Sequence, residues 1–459
     1  MSKAFLDSVK GSAIIDIRFE KESRMKFLAK FFKSQSTARI LCLGFMLVIL
    51  FGGFLLWLPI SLNEGKTISL IDAIFVSGSA VCVTGLTTVD VGNTFNVFGK
   101  TVVAVLIQIG GLGVASIGVL FILLAGKRIS LKSRLLIKDA MNISGFRGLV
   151  RSVKTFFKIA FGVELVGAIL SFFVFIRDYP FWKAIGISLF HSISSFNNAG
   201  FDILGGFDSL LSYQSNVFLN LVTIVLVVLG GLGFLVIIDI CKNHKWKKFS
   251  LQTKIVICMT TFLLVGGTLL LKLTENITWL GAFFQSTISR TAGFSTFPLS
   301  DFTQAGLFVF VLLMFIGASP GSTGGGVKTT TVFVVFLKSI SSTMRRNKNA
   351  VFHRRVSDDI IAKATVVLFF GAAVVIVGTY LLCVFEPDIT MTQALVEVTS
   401  AFATVGSTTG ITPSICFASK VLLIIVMFIG RLGPVTIACL LMTKDESSVK
   451  YTEENVMIG

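Results

Sequence analysis

Four short tags hold the residues whose types and spacing suit chemistry. They read Val83-Thr84-Gly85-Leu86-Thr87, Asn198-Ala199-Gly200-Phe201-Asp202, Thr291-Ala292-Gly293-Phe294-Ser295 and Thr404-Val405-Gly406-Ser407-Thr408. Each sets one glycine among small or polar residues. Glycine admits backbone angles that aim successive carbonyls at one axis, and rings of such carbonyls replace a cation's hydration shell. The chemistry is cation coordination by the backbone of Val83-Thr84-Gly85, Asn198-Ala199-Gly200, Thr291-Ala292-Gly293 and Thr404-Val405-Gly406. One tag alone marks no more than a tight turn. Four, with glycines 115, 93 and 113 residues apart, point to a fourfold repeat around one path. Asn198 departs from a Thr-x-Gly pattern, so strict fourfold symmetry is not expected.

The elements that must position these tags are apolar helices. Crossing ~30 Å of hydrocarbon takes about 20 apolar residues. Eight segments qualify, roughly 38–60, 98–124, 155–176, 215–240, 254–273, 303–338, 361–385 and 419–442. Each tag follows a shorter, half-polar stretch, at about 69–82, 181–196, 277–290 and 390–403. These are too short to span and suit re-entrant helices. A glycine cluster begins 24 to 30 residues after each tag glycine, at Gly110 and Gly230 (both Gly-Gly-Leu-Gly), Gly317 and Gly430 (Gly-Arg-Leu-Gly). The expected fold is an all-α polytopic membrane protein of four pseudo-symmetric repeats, each helix–pore helix–loop–helix. It has eight transmembrane helices and four re-entrant pore helices around a central pore. Its expected parts are a cytoplasmic N-terminal segment 1–37, repeats over 38–126, 127–241, 242–343 and 344–443, and a cytoplasmic tail 444–459.

Composition supports a membrane class. Charged residues are 14% and hydrophobic residues 54% of the 459, against a usual ~25% charged. So little charge does not cover a soluble protein, and it excludes disorder and a coiled coil. The net charge of +17 lies in the gaps between apolar runs, which argues for topology and against nucleic acid. The first joint holds Lys127, Arg128, Lys132, Arg134, Lys138, Arg147, Arg151, Lys154 and Lys158 against Asp139. The second holds Lys242, Lys245, Lys247, Lys248 and Lys254, and the third Lys338, Arg345, Arg346, Lys348, Arg354, Arg355 and Lys363. By the positive-inside rule the joints and both termini are cytoplasmic, and the tags face outward. Basic joints also suit membrane lipids or a partner. The charged N-terminus does not read as a cleavable signal peptide. Seven cysteines and three histidines are scattered without metal or redox spacing. No nucleophile triad, acid/base pair or nucleotide motif is present, so no enzyme chemistry is expected. Gly321 to Lys328 approaches a phosphate-binding loop, but Val327 separates Gly326 from Lys328 where that motif needs them adjacent.

A second polar feature lies within the apolar runs. Residues Gly317, Ala318, Ser319, Pro320, Gly321, Ser322, Thr323, Gly324, Gly325 and Gly326 interrupt the sixth segment. A continuous helix is disfavoured there, since Gly costs about 1 and Pro about 3 kcal/mol in a helix interior. Irregular backbone at membrane depth must line a cavity or protein, which places a flexible loop under the tags as a gate; the plainer reading is a passive kink. Arg431 has ten mostly apolar residues before it and eleven after. A charge there costs about 2.5–3.5 kcal/mol on insertion scales, so it should face water or a partner, as part of the gate or as a cross-link between repeats. Lys328 reads as a residue that snorkels to the interface. Glu164, inside the third segment, needs a partner that the sequence does not name.

These residues resemble the Ktr/Trk/HKT superfamily of potassium transporters, from about residue 38 to the C-terminus. Gly317 through Gly326 with the following Val327-Lys328-Thr329-Thr330-Thr331 is similar to the family's intramembrane gate loop. Ile429-Gly430-Arg431-Leu432-Gly433-Pro434 is the second specific match. With eight spanning segments visible, the chain is most similar to the Ktr branch. The resemblance implies potassium preference, because all four filter glycines have a match, and implies that the gate loop and Arg431 obstruct the pore together. It implies channel-like K+ uptake, with Rb+ or Na+ as permeant or modulating ions and sodium as a stimulant or co-transported ion. It further implies a homodimer with Tyr451–Gly459 at its interface, a separate KtrA-like cytoplasmic ring binding ATP or ADP, a bacterial plasma membrane location, and no covalent cofactor. A TrkH-like or proton-coupled cation transporter, or a non-transporting membrane enzyme or assembly factor, are the other readings.

Overall fold

A computed structural model of the chain describes residues 37–114, 116–117, 149–344 and 349–433. The segment 1–36, the first joint from Lys127 to Arg147, Arg345, Arg346, Lys348, Pro434, Cys439 and the tail 444–459 lie outside the described residues. A long helix, a short helix, a loop and a second long element follow one another four times. They are α1 (Thr37–Trp57), α2 (Leu70–Cys82) and α3 (Val97–Leu112); α4 (Leu149–Phe175), α5 (Phe181–Phe196), and α6 (Val217–Leu232) with α7 (Phe234–Lys242); α8 (Leu251–Thr274), α9 (Trp279–Ile288), and α10 (Gln304–Phe315) with α11 (Thr329–Thr343); and α12 (Asp358–Phe385), α13 (Met391–Ala403) and α14 (Phe417–Leu432). Strands β1 (Ala350–Val351) and β2 (Arg354–Arg355) form a hairpin before α12.

The long first helices are apolar on every face. In α1 and α12 the most apolar windows have a mean hydropathy of 2.6, and only 28% and 22% of them are buried inside the protein. Leu47, Phe51, Phe369 and Ile376 stand exposed along them. Apolar surface of this kind is covered by lipid, and the chain is a multi-pass membrane protein. Among the described residues, helices α1, α4, α8 and α12 are long and apolar enough to cross alone, and α6 and α7 reach that length and apolarity only together, bent by 97° at their junction.

The second elements differ from the expected continuous helices over 98–124, 215–240 and 419–442. Each breaks at the last glycine of its cluster. Gly113, Gly233 and Gly433 have φ of 84°, 89° and 88° with ψ of 130°, 139° and 136°. A side chain is strongly disfavoured at such angles, so only glycine turns the chain here. The first glycine of each cluster has another task. A Cβ on Gly110, Gly230 or Gly430 would collide with the carbonyl oxygen of Val81, Phe196 or Phe402, at the C-terminal end of the short helix in the same repeat.

The short helices are held between their longer neighbours by small residues. Ser77 Oγ donates to Ile49 O (2.7 Å), Ser192 Oγ to Glu164 O (2.6 Å) and Ser286 Oγ to Leu264 O (3.0 Å). The facing helices make room with Gly52, Gly167 and Gly267, where a Cβ would strike those hydroxyls. The fourth repeat uses Gly378 against Val398 instead. Ser69, Thr278 and Thr390 cap α2, α9 and α13, the last in a capping box with Gln393. Each such cap stabilises its helix by about 1 kcal/mol. Pro180 stands at that position in α5 without a side-chain cap.

Candidate functional site

The C-terminal ends of α2, α5, α9 and α13 run straight into the four tags. Those ends carry the negative pole of each helix dipole, which favours a cation without a fixed acid. All four tag glycines have positive φ: 98° at Gly85, 67° at Gly200, 71° at Gly293 and 93° at Gly406. Their contacts close a cycle. A Cβ on Gly85 would collide with Ala199 O and stand 3.2 Å from Gly200 Cα. One on Gly200 would meet Ala292 O and lie 3.0 Å from Gly293 Cα; one on Gly293 would meet Val405 O and lie 3.0 Å from Gly406 Cα. One on Gly406 would meet Thr84 O and lie 2.8 Å from Gly85 Cα, which returns to the start. The four tags, far apart in sequence, thus form one ring, with a backbone carbonyl against each glycine.

The strands leading into the ring are held in two ways. In the first and fourth tags the residue after the short helix is left-handed, Val83 at φ 61° and Thr404 at φ 53°. The next amides fold back, Thr84 N onto Ser79 O (2.7 Å) and Val405 N onto Ser400 O (2.9 Å). A serine six residues before the glycine then accepts the glycine amide: Gly85 N to Ser79 Oγ and Gly406 N to Ser400 Oγ, both 3.0 Å. The second tag shares the backbone, with Asn198 at φ 60° and Ala199 N on Ser194 O (2.8 Å). However, Ser194 Oγ is buried without a partner. The symmetry is broken further at the third tag. Ser77 precedes Gly85 by eight residues and Ser192 precedes Gly200 by eight, but Ser286 precedes Gly293 by seven. With one residue fewer, the third tag has no left-handed cap, and Ala292 N folds back on Ile288 O (2.9 Å).

Residues 317–326 lie directly against this ring. Gly324 packs so closely on Thr291 that a Cβ would lie 2.6 Å from its Cγ2, and Gly325 N donates to Thr404 Oγ1 (2.9 Å). The loop starts and ends as a bridge between Ile316 and Val327, with Gly317 N on Val327 O (2.9 Å). Repeat two pins its middle: Ser319 N donates to Gly231 O (3.1 Å), Thr323 N to Gly230 O (3.3 Å), and Phe234 N to Gly321 O (3.0 Å). Ser322 Oγ closes a turn on Ser319 O (2.6 Å). Pro320 and Ala318 belong to the same pinned stretch: a Cβ on Gly233 would lie 2.6 Å from Pro320 O, and Thr329 N approaches Ala318 O at 3.4 Å. Gly326 turns the chain out with φ 70°.

Arg431 ties this loop to two other repeats. Its Nη1 donates to Thr323 O, and its Nη2 to Gly110 O and, at 3.3 Å, to Gly111 O. Three carbonyls are the partners that an intramembrane arginine needs. Lys328 does not snorkel. Its Nζ turns back onto Gly324 O (2.7 Å) and Gly325 O (3.3 Å), so a second cation holds the loop. Glu164 finds amides, Gln108 Nε2 at 2.9 and 3.0 Å and Asn197 Nδ2 at 3.0 Å.

Several participants were not singled out by sequence. Glu397 is fully buried behind the fourth tag and accepts from Thr408 Oγ1, Thr409 N (3.1 Å) and Thr412 Oγ1 (2.9 Å). The serines six residues before three of the glycines were the available signal. Beside the first two tags, Asp90, Asp202, Gly85, Gly200 and Phe207 line a small cavity. Burial pushes the Asp202 carboxyl up to about 6; the Leu204 amide opposes this and the nearby Asp90 charge adds to it. Thr84 Oγ1, Ser407 Oγ and Thr409 Oγ1 are buried without a protein partner. Among the described residues no cluster of histidine, cysteine, aspartate or glutamate suits a resident metal.

A fourfold helical unit whose loops close a ring of glycines inside a membrane protein defines a membrane transport protein. The TrkH family of cation transport proteins matches residues 14–451, and the chain belongs to that family. It is 37% identical to the potassium/sodium uptake protein NtpJ of Enterococcus hirae, over 93% of this chain and 98% of that protein. It is 38% identical to the Ktr system potassium uptake protein B of Bacillus subtilis, over 92% and 96%. The crystal structure of the potassium transporter TrkH from Vibrio parahaemolyticus shares its fold, with a TM-score of 0.71 over 89% of this chain and 86% of that one at 21% identity. These relatives are ion transporters, and the chain is an ion transporter rather than an enzyme.

Proposed function

We propose that the chain is the membrane subunit of a bacterial potassium uptake system. In this reading Val83-Thr84-Gly85, Asn198-Ala199-Gly200, Thr291-Ala292-Gly293 and Thr404-Val405-Gly406 form the filter. The single observation that carries it is the closed cycle of four positive-φ glycines, each against a carbonyl of the next repeat. Backbone oxygens so placed suit a dehydrated monovalent cation, and relatives named for potassium uptake support K+. The loop 317–326, Arg431 and Lys328 act as the gate. They occupy the space against the filter and are held by hydrogen bonds that can open one by one. A fixed positive charge at that place raises the barrier to cations.

The basic joints support a reading with both termini in the cytoplasm of a plasma membrane, in which the repeats 38–126, 127–241, 242–343 and 344–443 are the units of the pore. Relatives named as parts of a Ktr system support a system of several subunits, and a separate cytoplasmic nucleotide-binding ring is part of this proposal. A homodimer and stimulation by Na+ belong to the same proposal. The test is tracer rubidium uptake into proteoliposomes of the purified chain, driven by trapped potassium. The expected result is uptake blocked by external K+ far better than by Na+. Uptake insensitive to K+ in protein carrying Arg431→Ala, where the gate is weakened, would overturn the assignment.

A further inference from the structure

We infer that Glu164 is a positioning residue for ion selectivity, acting through Asn197 on the second filter tag. The inference rests on the filter reading above. Asn197 is the C-cap of α5 and immediately precedes the tag. Its Nδ2 donates to Glu164 Oε1 (3.0 Å), to Gln108 Oε1 (2.9 Å) and to Ile193 O (2.9 Å). Gln108 on α3 donates its own amide to both oxygens of Glu164, at 2.9 and 3.0 Å. Three side chains from the first repeat, the second repeat's long helix and the second tag therefore make one closed set. Asn197 is fully buried and Glu164 is 6% exposed.

The second tag needs this support because it lacks the one that the first and fourth tags have. In the first and fourth tags a serine hydroxyl accepts the filter glycine amide, but the equivalent Ser194 Oγ holds no partner. The left-handed Asn198 bonds Thr291 Oγ1 through its own side-chain amide (2.5 Å), and Asn197 holds it from behind. A carboxylate suits the task because it only accepts. Two amide groups aim N–H at Glu164, and no donor is left facing a donor. The same set lies beside the gate: a Cβ on Gly111 would collide with Asn197 Oδ1, and the Gly111 carbonyl accepts from Arg431. The second tag is thus located relative to the backbone that the gate arginine grips.

Exchanging the two residues keeps both bonds from Asn197 and, with the direction of donation reversed, one of the two contacts between 108 and 164. The test compares wild type, Glu164→Gln, Gln108→Glu, the double exchange and Gly293→Ser in rubidium uptake by proteoliposomes. The readout is the ratio of the half-blocking concentrations of Na+ and K+. We expect each single exchange to lower that ratio about tenfold, the scale of one hydrogen bond to a charged group, and the double exchange to restore it within about twofold. Were Glu164→Gln not to reconstitute, Gln108→Ala gives the same reading with the carboxylate kept on Asn197. Unchanged ratios in the single variants, with Gly293→Ser altered, would overturn this inference alone, as would a double exchange no better than the singles. An unchanged ratio in Gly293→Ser would overturn the filter reading first.

Discussion

The first and fourth tags are built alike and the second and third are not like them. Gly85 and Gly406 have φ of 98° and 93° and give their amides to Ser79 and Ser400. Gly200 and Gly293 have φ of 67° and 71°; Ser194 Oγ makes no such bond to Gly200, and the turn before Gly293 is shorter. The ring therefore has two clamped sides and two sides held by other means: the Asn197 set behind the second tag, and the gate loop against Thr291 of the third. Four copies of one unit need not share the work equally. The third repeat, whose turn before the tag is one residue shorter, is also the one whose second element is interrupted by the loop 317–326.

The largest expected effect separates the two pairs. A left-handed φ near 60–70° costs a side chain roughly 1–2 kcal/mol, whereas angles near 95° lie outside that region. Serine at Gly85 or Gly406 should abolish K+ preference. Serine at Gly293 or Gly200 avoids that part of the strain but still drives its Cβ into Val405 O or Ala292 O, so it should leave uptake with a K+ over Na+ preference reduced by more than the roughly five- to thirtyfold that the backbone strain alone allows. Equal loss at all four positions, in competition assays, would erase the distinction. Arg431→Ala comes next. It frees Thr323, Gly110 and Gly111 at once, and rubidium flux should rise several-fold; unchanged or reduced flux in well-folded protein would make the arginine a cross-link only.

Serine removal sharpens the comparison further. Ser79→Ala and Ser400→Ala each remove a bond worth about 1 kcal/mol, so the K+ to Na+ ratio should fall about fivefold in each. Ser194→Ala removes a hydroxyl without a partner and should change the ratio less than twofold. The smallest effect concerns the unclamped second tag at its mouth. Asp202 titrates at about 6, above the ordinary carboxylate, because of burial. Its charge is absent below that value and present above it. The half-saturating rubidium concentration should therefore fall about twofold from pH 5 to pH 7, as a mouth carboxylate concentrates cations. Asp202→Asn should flatten that change. The same raised value means that Asp202 favours folding at low pH and loses that contribution as pH rises through about 6.

Much of this was legible in the sequence because membrane helices announce themselves by length and glycine by its backbone. The short stretches 69–82, 181–196 and 390–403 differ by at most one residue from α2, α5 and α13. The interruption at 317–326 was readable because glycine and proline accumulate there. The breaks at Gly113, Gly233 and Gly433 were not, since a single glycine in an apolar run serves equally as a packing face, and only the φ/ψ pair decides. Partners separated by hundreds of residues were also hidden. Nothing local says that Arg431 will reach Gly110, or that Glu164 will meet Gln108 and Asn197. Lys328 misled for a related reason: its place towards the cytoplasmic end of the sixth segment suggested escape to the interface, whereas the carbonyls of Gly324 and Gly325 offered a nearer partner.

The most direct test of the central claim is to locate the ion. A structure of the purified protein in rubidium, solved with anomalous diffraction at the rubidium edge, shows where the cation rests. The account expects a peak on the axis of the glycine ring, within coordination distance of the carbonyls of Thr84, Ala199, Ala292 and Val405. A rubidium peak elsewhere in the membrane region, with the ring empty, would contradict it.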